Sequence, residues 1–442
     1  MKYIYNFLMS ATLILAVGMG EGFASRQTDK EKVTLDAKLL QLPVGYRKNL
    51  HWDLPLDSMG KNGSIVTWTS NNIQYISHQG KLLQRSPRNA DQIKVTMTAT
   101  LKLGSAKSRK SFTVNVAYQD HEFKGYLFAY FEGSGPRNMD EQLRVGVSAD
   151  AINWFALNKN QPIVDSEQIS ATGGIRDPHL LRSEDEKSFY LVATDMNTAK
   201  NGWGHNPGIV MLKSADLLSW KHAVIDLEKL YPAKFKNVQW VWAPQTIYDP
   251  AVDRYLVYFT VKLKDDAKLD FYAAYANSDF SGFESEPTLM FSPKYGAIDG
   301  DIIYRAGTYH FFYKGNTKDE NGKEVNNGIQ QAFGKTLQGP WTEDFKYLDV
   351  YAGTKTNVEG SSLFKLNNSA DYILMYDLYS NKRYEFQRTK DLYNFTQTPE
   401  SFTKDFFPRH GSVIGITLEE AERLHKKWGG VPAQLLRTSG TN

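Results

Sequence analysis

The chain of 442 residues contains no cysteine. Disulfide frameworks, thiolate metal sites and cysteine nucleophiles are therefore excluded, and so is a lipid anchor attached through cysteine. Excess charge is also missing: 52 basic against 49 acidic residues leave a formal net charge of +3. That balance gives no electrostatic footprint for nucleic acid and lacks the asymmetry of a disordered chain. Long apolar runs are absent after the N-terminus. The one at Phe7–Met19 is shorter than the ~20 residues a membrane span needs. With Lys2 before it and Gly22-Phe23-Ala24 after it, residues 1–24 read as a secretory signal peptide. The expected product is exported, periplasmic or secreted, with neither membrane span nor lipid anchor. At roughly 100–200 residues per domain, the length allows two or three domains.

What is abundant is aromatic: 25 Tyr, 24 Phe and 9 Trp, with 33 Gly, which points to many short strands and turns. Over residues 27–118, Val66–Ser70, Ile93–Leu101 and Ser111–Ala117 alternate with a period of two and are separated by Asn62-Gly63, Gln79-Gly80 and Gly104-Ser105. This predicts a small β-sandwich, and its pattern resembles bacterial immunoglobulin-like modules, which usually act as spacers. Gln119–Glu122 reads as a polar linker.

Over residues 123–433 an internal repeat decides the fold. A turn unit begins at Ser148, Ser214, Asn277, Lys335 and Thr389. Each leads six residues on to an aromatic: Trp154, Trp220, Phe283, Trp341 and Phe395. The spacing of about 54–66 residues suits one four-stranded propeller blade. In step with it, Asp177-Pro178, Ala243-Pro244, Asp299-Gly300, Glu359-Gly360 and His410-Gly411 each open an apolar strand. The fifth is followed by a helix start, Thr417–Glu420, a capping box. Its outer strands are missing there but present at Gly125–Phe131 and Leu143–Ser148. An all-β fold is therefore expected: a five-bladed β-propeller whose C-terminal strand completes the blade begun at residue 125, which removes exposed edges.

Equivalent inner-strand positions of a propeller meet at one mouth. Three carboxylates and a histidine are thereby expected to share one funnel: Asp177, Asp299, Glu359 and His410. Like charges in a poor dielectric drive pKa values apart, which separates a general acid from a general base. Carboxyls spread across a funnel suit inverting glycoside hydrolysis, where they stand roughly 6.5–9.5 Å apart with room for water. Trp242 is the first stacking candidate for a sugar, with Trp240, Trp203 and Phe131 behind it, and Arg383 offers a guanidinium fork. Glu132 in Phe131-Glu132-Gly133 imitates the acid motif but reads as a turn residue. Asp301 shares the face of Asp299 and sits deeper. Asp195 and His205 flank a Gly/Asn-rich loop.

Arg176-Asp177-Pro178, Trp242-Ala243-Pro244, Ile298-Asp299-Gly300, Val358-Glu359-Gly360 and His410-Gly411-Ser412 resemble, in order and spacing, the signature of glycoside hydrolase family 43. One departure is Gly300, where many members carry proline. The resemblance implies that Asp177 is the general base, Glu359 the general acid and Asp299 the residue that raises the acid's pKa. Arg176 joins the implied substrate-binding set. His410 would face the axis, where members often hold Ca2+ or another cation, commonly through water; no organic cofactor is implied. The resemblance further implies an exo-acting, inverting enzyme, expected as a monomer, that releases terminal α-L-arabinofuranose from plant polysaccharide side chains. β-D-Galactofuranosidase and β-xylosidase activities are the alternatives within the fold. A non-catalytic glycan-binding propeller remains open. A retaining fructan hydrolase is disfavoured, because its acid lies in a Glu-Cys pair.

Overall fold

In the first ninety residues the Thr-rich alternation becomes an antiparallel sheet, β1 (Ile65–Ser70), β2 (Lys94–Leu103) and β3 (Ala106–Asn115). Val95, Met97, Ala99 and Leu101 of β2 all point into the core, while the threonines between them face outward. The computed structural model describes residues 27–133, 139–266, 268–318, 324–349, 357–381, 383–398 and 402–437. The expected signal peptide lies outside them. Opposite the sheet the layer is a reduced one. The helices Asp29–Leu39 and Val44–Lys48 and isolated bridges, such as Ile76 with Leu82, close the core that Val33, Leu42, Leu50 and Ile76 share with β2. Period-two reading over the whole stretch misses the first helix. Thr28 and Glu31 start it with a capping box, and Val33 and Asp36 are its buried residues.

The remaining strands form five blades. The first is β7 (Ile175–Arg182), β8 (Phe189–Asp195), β9 (Gly208–Ser214) and β10 (Lys221–Asp226). The second is β11 (Val238–Asp249), β12 (Arg254–Leu263), β13 (Asp270–Tyr275) and β14 (Thr288–Phe291). The third is β15 (Ala297–Arg305), β16 (Thr308–Lys318), β17 (Glu324–Gly334) and β18 (Thr342–Asp344). The fourth is β19 (Glu359–Lys365), β20 (Tyr372–Leu378), β21 (Arg383–Thr389) and β22 (Thr396–Gln397). The fifth is made from both ends of the chain. β24 (Arg409–Ile416) pairs with β4 (Gly125–Phe131), followed by β5 (Arg144–Ser148), β6 (Asn153–Ala156) and β23 (Thr403–Lys404). The inner strands β7, β11, β15, β19 and β24 each touch two neighbours, and β24 returns to β7. The ring is closed as the repeat arithmetic requires.

The repeat motif has a local cause. Asp150, Asp216 and Asp391 accept hydrogen bonds from backbone N–H groups two and three residues on. The residue after each aspartate, Ala151, Leu217 or Leu392, takes positive φ. This turn carries the chain to the repeat aromatic. Trp154 is buried against Phe128 with ring centroids 5.4 Å apart.

The immunoglobulin-like module docks on the turns at the far ends of the inner strands. Trp52 meets Tyr304 edge-on at 5.5 Å, His51 pairs with Glu184 at 3.0 Å, and Arg88 pairs with Glu186 at 2.7 Å. The funnel carboxylates lie at the opposite ends of those strands. No helix among the described residues is long and apolar enough to cross a membrane.

Candidate active site

Each inner strand slips register at one equivalent place. The breaks fall between Arg176 and His179, Trp242 and Gln245, Ile298 and Asp301, Glu359 and Ser362, and Arg409 and Ser412. Such a bulge re-aims side chains and is common beside active sites. The first residue inside it takes positive φ in four blades: Asp177 (52°), Ala243 (45°), Asp299 (56°) and Gly360 (64°). Holding non-glycine residues there costs about 1–3 kcal/mol each, which the surrounding ring must over-determine. The register corrects one expectation. Glu359 is not level with Asp177 and Asp299: Gly360 is, and Glu359 stands one residue earlier, level with Arg176, Trp242, Ile298 and Arg409. A Cβ at Gly360 would lie 2.7 Å from the His410 ring, so the position opposite that histidine must stay bare. Gly300 has a comparable reason. A Cβ there would meet Phe311 at 2.3 Å and Phe271 at 2.8 Å, because aromatics fill the space a proline would need.

Asp177, Asp299 and Glu359 line one cavity of about 60 Å3 with Arg176, Met196, Trp203, Trp242 and Ile298. Asp177 accepts from Thr194 Oγ1 at 2.8 Å, and the same hydroxyl accepts from the Ala243 N–H at 2.8 Å, tying two blades together. Asp299 accepts from the Gly360 N–H at 2.9 Å. The Nδ1 edge of His410 faces both carboxylates, 3.5 Å from Asp177 and 3.8 Å from Asp299. Glu359 pairs with Arg409 and lies 3.6 Å from Lys314 Nζ. Arg409 also pairs with Asp377.

These neighbours drive the titrations apart. Burial pushes Asp177 up, but the hydrogen bond from His410 and the charge of Arg176 outweigh it and hold the carboxyl below its ordinary value. Burial raises Asp299 to about 6; His410 opposes the rise, while Glu359 and Asp177 add to it. Burial alone would discharge His410, yet Asp299 and Asp177 lift it to about 9. The site therefore holds an ionised aspartate, an imidazolium and an aspartate reluctant to ionise. Among the described residues no three His, Asp or Glu side chains are arranged to ligate a metal ion directly, so His410 would meet the Ca2+ or other cation that the resemblance implies through water.

A folded-state carboxyl raised from 3.8 to about 6 takes up its proton more readily than the unfolded one. Its contribution to stability is present at low pH and is lost as pH rises through about 6. Asp299→Asn should therefore lower turnover and remove the part of the pH dependence of stability that Asp299 contributes as pH rises through about 6. Urea denaturation at a series of pH values checks this; an unchanged pH dependence between about pH 5 and 7 would contradict the electrostatic account.

Other expected residues fall differently. Trp242 lines the cavity, stacked on Trp240 at 4.6 Å and edge-on to Trp203 at 6.4 Å. Trp203 is 55% exposed and available to a ligand. Phe131 is fully buried and is not a sugar platform; its face carries the Arg176 guanidinium at 4.6 Å. Arg176 is clamped between Phe131 and Trp203 and bonded to Glu141 at 2.7 Å, so it forms wall rather than fork. Arg383 is exposed at the start of β21, 3.6 Å from Glu385, and is not among the residues lining the cavity. Asp301 accepts from the Leu363 N–H at 2.6 Å, below the cavity. Asp195 is spent on the backbone of Ala171 and Thr172, and His205 pairs with Glu228. Glu132 serves the turn, accepting from Asn160 at 2.7 Å. Sequence reasoning missed Thr194, Lys314, Asp377 and Arg409. Only Arg409 carried a signal, its place beside His410.

Residues 121–422 match a family-43-related model described as a probable glycosyl hydrolase domain. Residues 27–119 match an atrophied bacterial Ig domain. An α-L-arabinofuranosidase of Bifidobacterium longum is 26% identical over 409 residues, covering 79% of this chain. The chain spans 38% of that relative's length. A thermostable family-43 glycoside hydrolase is similar over 72% of this chain and 94% of its own, with 12% identity and a TM-score of 0.43. A putative exo-beta-1,3-galactanase from Bifidobacterium bifidum is similar over 65% and 92%, with 12% identity and a TM-score of 0.46. With five open sheets arranged as blades around one axis and its carboxylates gathered at one mouth, the chain belongs to the family-43-related glycosyl hydrolases and carries a reduced immunoglobulin-like module ahead of the hydrolase domain.

Proposed function

We propose that the protein is an exo-acting, inverting α-L-arabinofuranosidase that removes terminal arabinofuranose from plant polysaccharide side chains outside the cytoplasm. The observation that carries the catalytic part is that one small cavity joins a carboxylate held ionised, Asp177, to a second carboxyl, Glu359, in a different ionic setting. In this reading Asp177 draws a proton from water as it attacks the anomeric carbon. Glu359 gives its proton to the departing oxygen, and Asp299 holds the geometry between them. Trp242 and Trp203 supply apolar walls for the sugar. The choice of arabinofuranose leans on the Bifidobacterium longum relative.

The test is a panel of aryl α-L-arabinofuranosides, β-D-galactofuranosides and β-D-xylosides, with NMR of the first-formed product. Turnover of the arabinofuranoside with an inverted anomer is expected. Preference for another sugar would overturn the substrate, a retained anomer the mechanism, and binding without turnover the enzymatic reading.

A further inference from the structure

Glu359 and Asp377 stand directly opposite each other on β19 and β20. One guanidinium joins them. Arg409, from the neighbouring blade, turns Nε to Asp377 Oδ2 and Nη2 to Glu359 Oε1. It is held under the rings of Tyr379 and Phe131, with its Cζ 5.7 and 5.9 Å from their centroids. The Asp377 side chain is 1% exposed, and its second oxygen, Oδ1, is buried without a hydrogen-bond partner. A carboxylate left half-satisfied in the interior is costly, and Asp377 does not line the cavity. Fixing an arginine that serves the cavity gives that cost a purpose.

We propose that Asp377 is a positioning residue for the proton donor: it anchors Arg409 and takes up part of the guanidinium charge, so that Glu359 is aimed at the leaving oxygen. This rests on the reading of Glu359 as the acid.

The charges around Glu359 are mixed. Arg409 and His410 on β24 and Lys314 on β16 bring cations to it, and Asp299 on β15 brings an anion. An arginine facing Glu359 alone would set an uncompensated guanidinium charge within hydrogen-bonding distance of it. Asp377 on β20 is the counter-charge on that same cation. Burial raises Asp377 to about 7; Arg409 and His410 resist this rise and Glu359 adds to it, with Lys404 and the Tyr384 hydroxyl also within its field.

The test compares two glycosides of one sugar, with dinitrophenolate and with methoxyphenolate as leaving groups. The first needs no proton to depart; the second does. Asp377→Asn should shift the basic limb of kcat/KM down by about one pH unit. At neutral pH it should lose about tenfold on the methoxyphenyl substrate and two- to threefold at most on the dinitrophenyl one, with KM little changed. Asp377→Glu should restore the limb. Equal losses on both substrates, or an unmoved limb, would overturn the inference. If Asp377→Asn is recovered unfolded, Arg409→Lys serves instead. Lysine lacks the rigid fork that directs Nε to Asp377 and Nη2 to Glu359, so the same dependence on leaving group is expected and an equal loss refutes it. Glu359→Gln on the same pair separates the two readings. If it fails to split them, the acid assignment fails; if it splits them and Asp377→Asn does not, only the role of Asp377 fails.

Discussion

Glu359→Gln is expected to lower kcat by roughly 10²–10⁴-fold on glycosides with poor leaving groups and far less on a dinitrophenyl glycoside. Glutamine has the shape of glutamate and can still accept a hydrogen bond from Arg409, but it has no proton to give. The loss should therefore follow the basicity of the leaving oxygen. The fold should survive, since the guanidinium keeps its pairing with Asp377 and Lys314 is partly exposed to solvent. A thermal midpoint close to that of the unaltered protein would show this. Undiminished turnover of the poor-leaving-group substrate, or equal loss on both substrates, would remove Glu359 from the acid role.

The ring was legible because it is periodic. A turn that begins with Ser148 and recurs at Ser214, Asn277 and Thr389 writes blade size directly into the sequence. The strand missing after His410 could be found at residue 125 by counting. The module was harder to read, since a helix capped by Thr28 and Glu31 carries no period-two signal and its place opposite β2 is set by packing. Within the site, the residues inside the bulges were visible as Asp-Pro, Asp-Gly and His-Gly pairs. Their level was not. A bulge adds residues to one strand without a mark in the sequence, which is why Glu359 looked equivalent to Asp177 when Gly360 is. Arg409 and Asp377 were out of reach for a related reason. They lie 50 and 18 positions from Glu359 in the chain, and only pairing across one blade and contact with the next bring the three together. Phe131 and Arg176 show the converse. An aromatic and a guanidinium near a sugar site read as ligand contacts, and here they satisfy each other.

Asp177→Asn should be as damaging as loss of the acid, but with a different signature. If Asp177 activates the water, every substrate depends on it whatever its leaving group, so losses of roughly 10²–10⁴-fold should be similar across the aryl series. The pH behaviour follows from its partners. Asp177 is held below the ordinary carboxylate range, so its contribution to stability is present above the unfolded pKa of about 3.9 and is lost only as pH falls below it. His410 is raised to about 9, so its contribution is complete below its unfolded pKa of about 6.5 and is lost as pH rises through about 9. The two shifts describe one shared ion pair, and together they place its full effect between about pH 4 and 6.5. Removing the Asp177 charge leaves Asp299, the more distant of the two, as the remaining close counter-ion of His410 and lowers the imidazolium's pKa. The thermal midpoint of Asp177→Asn should then finish falling at a lower pH than the unaltered protein, measured between pH 6 and 10. A variant that keeps its activity, or loses it only on poor leaving groups, would strip Asp177 of the base role. Coincident midpoint curves would show that its carboxylate does not hold the His410 proton.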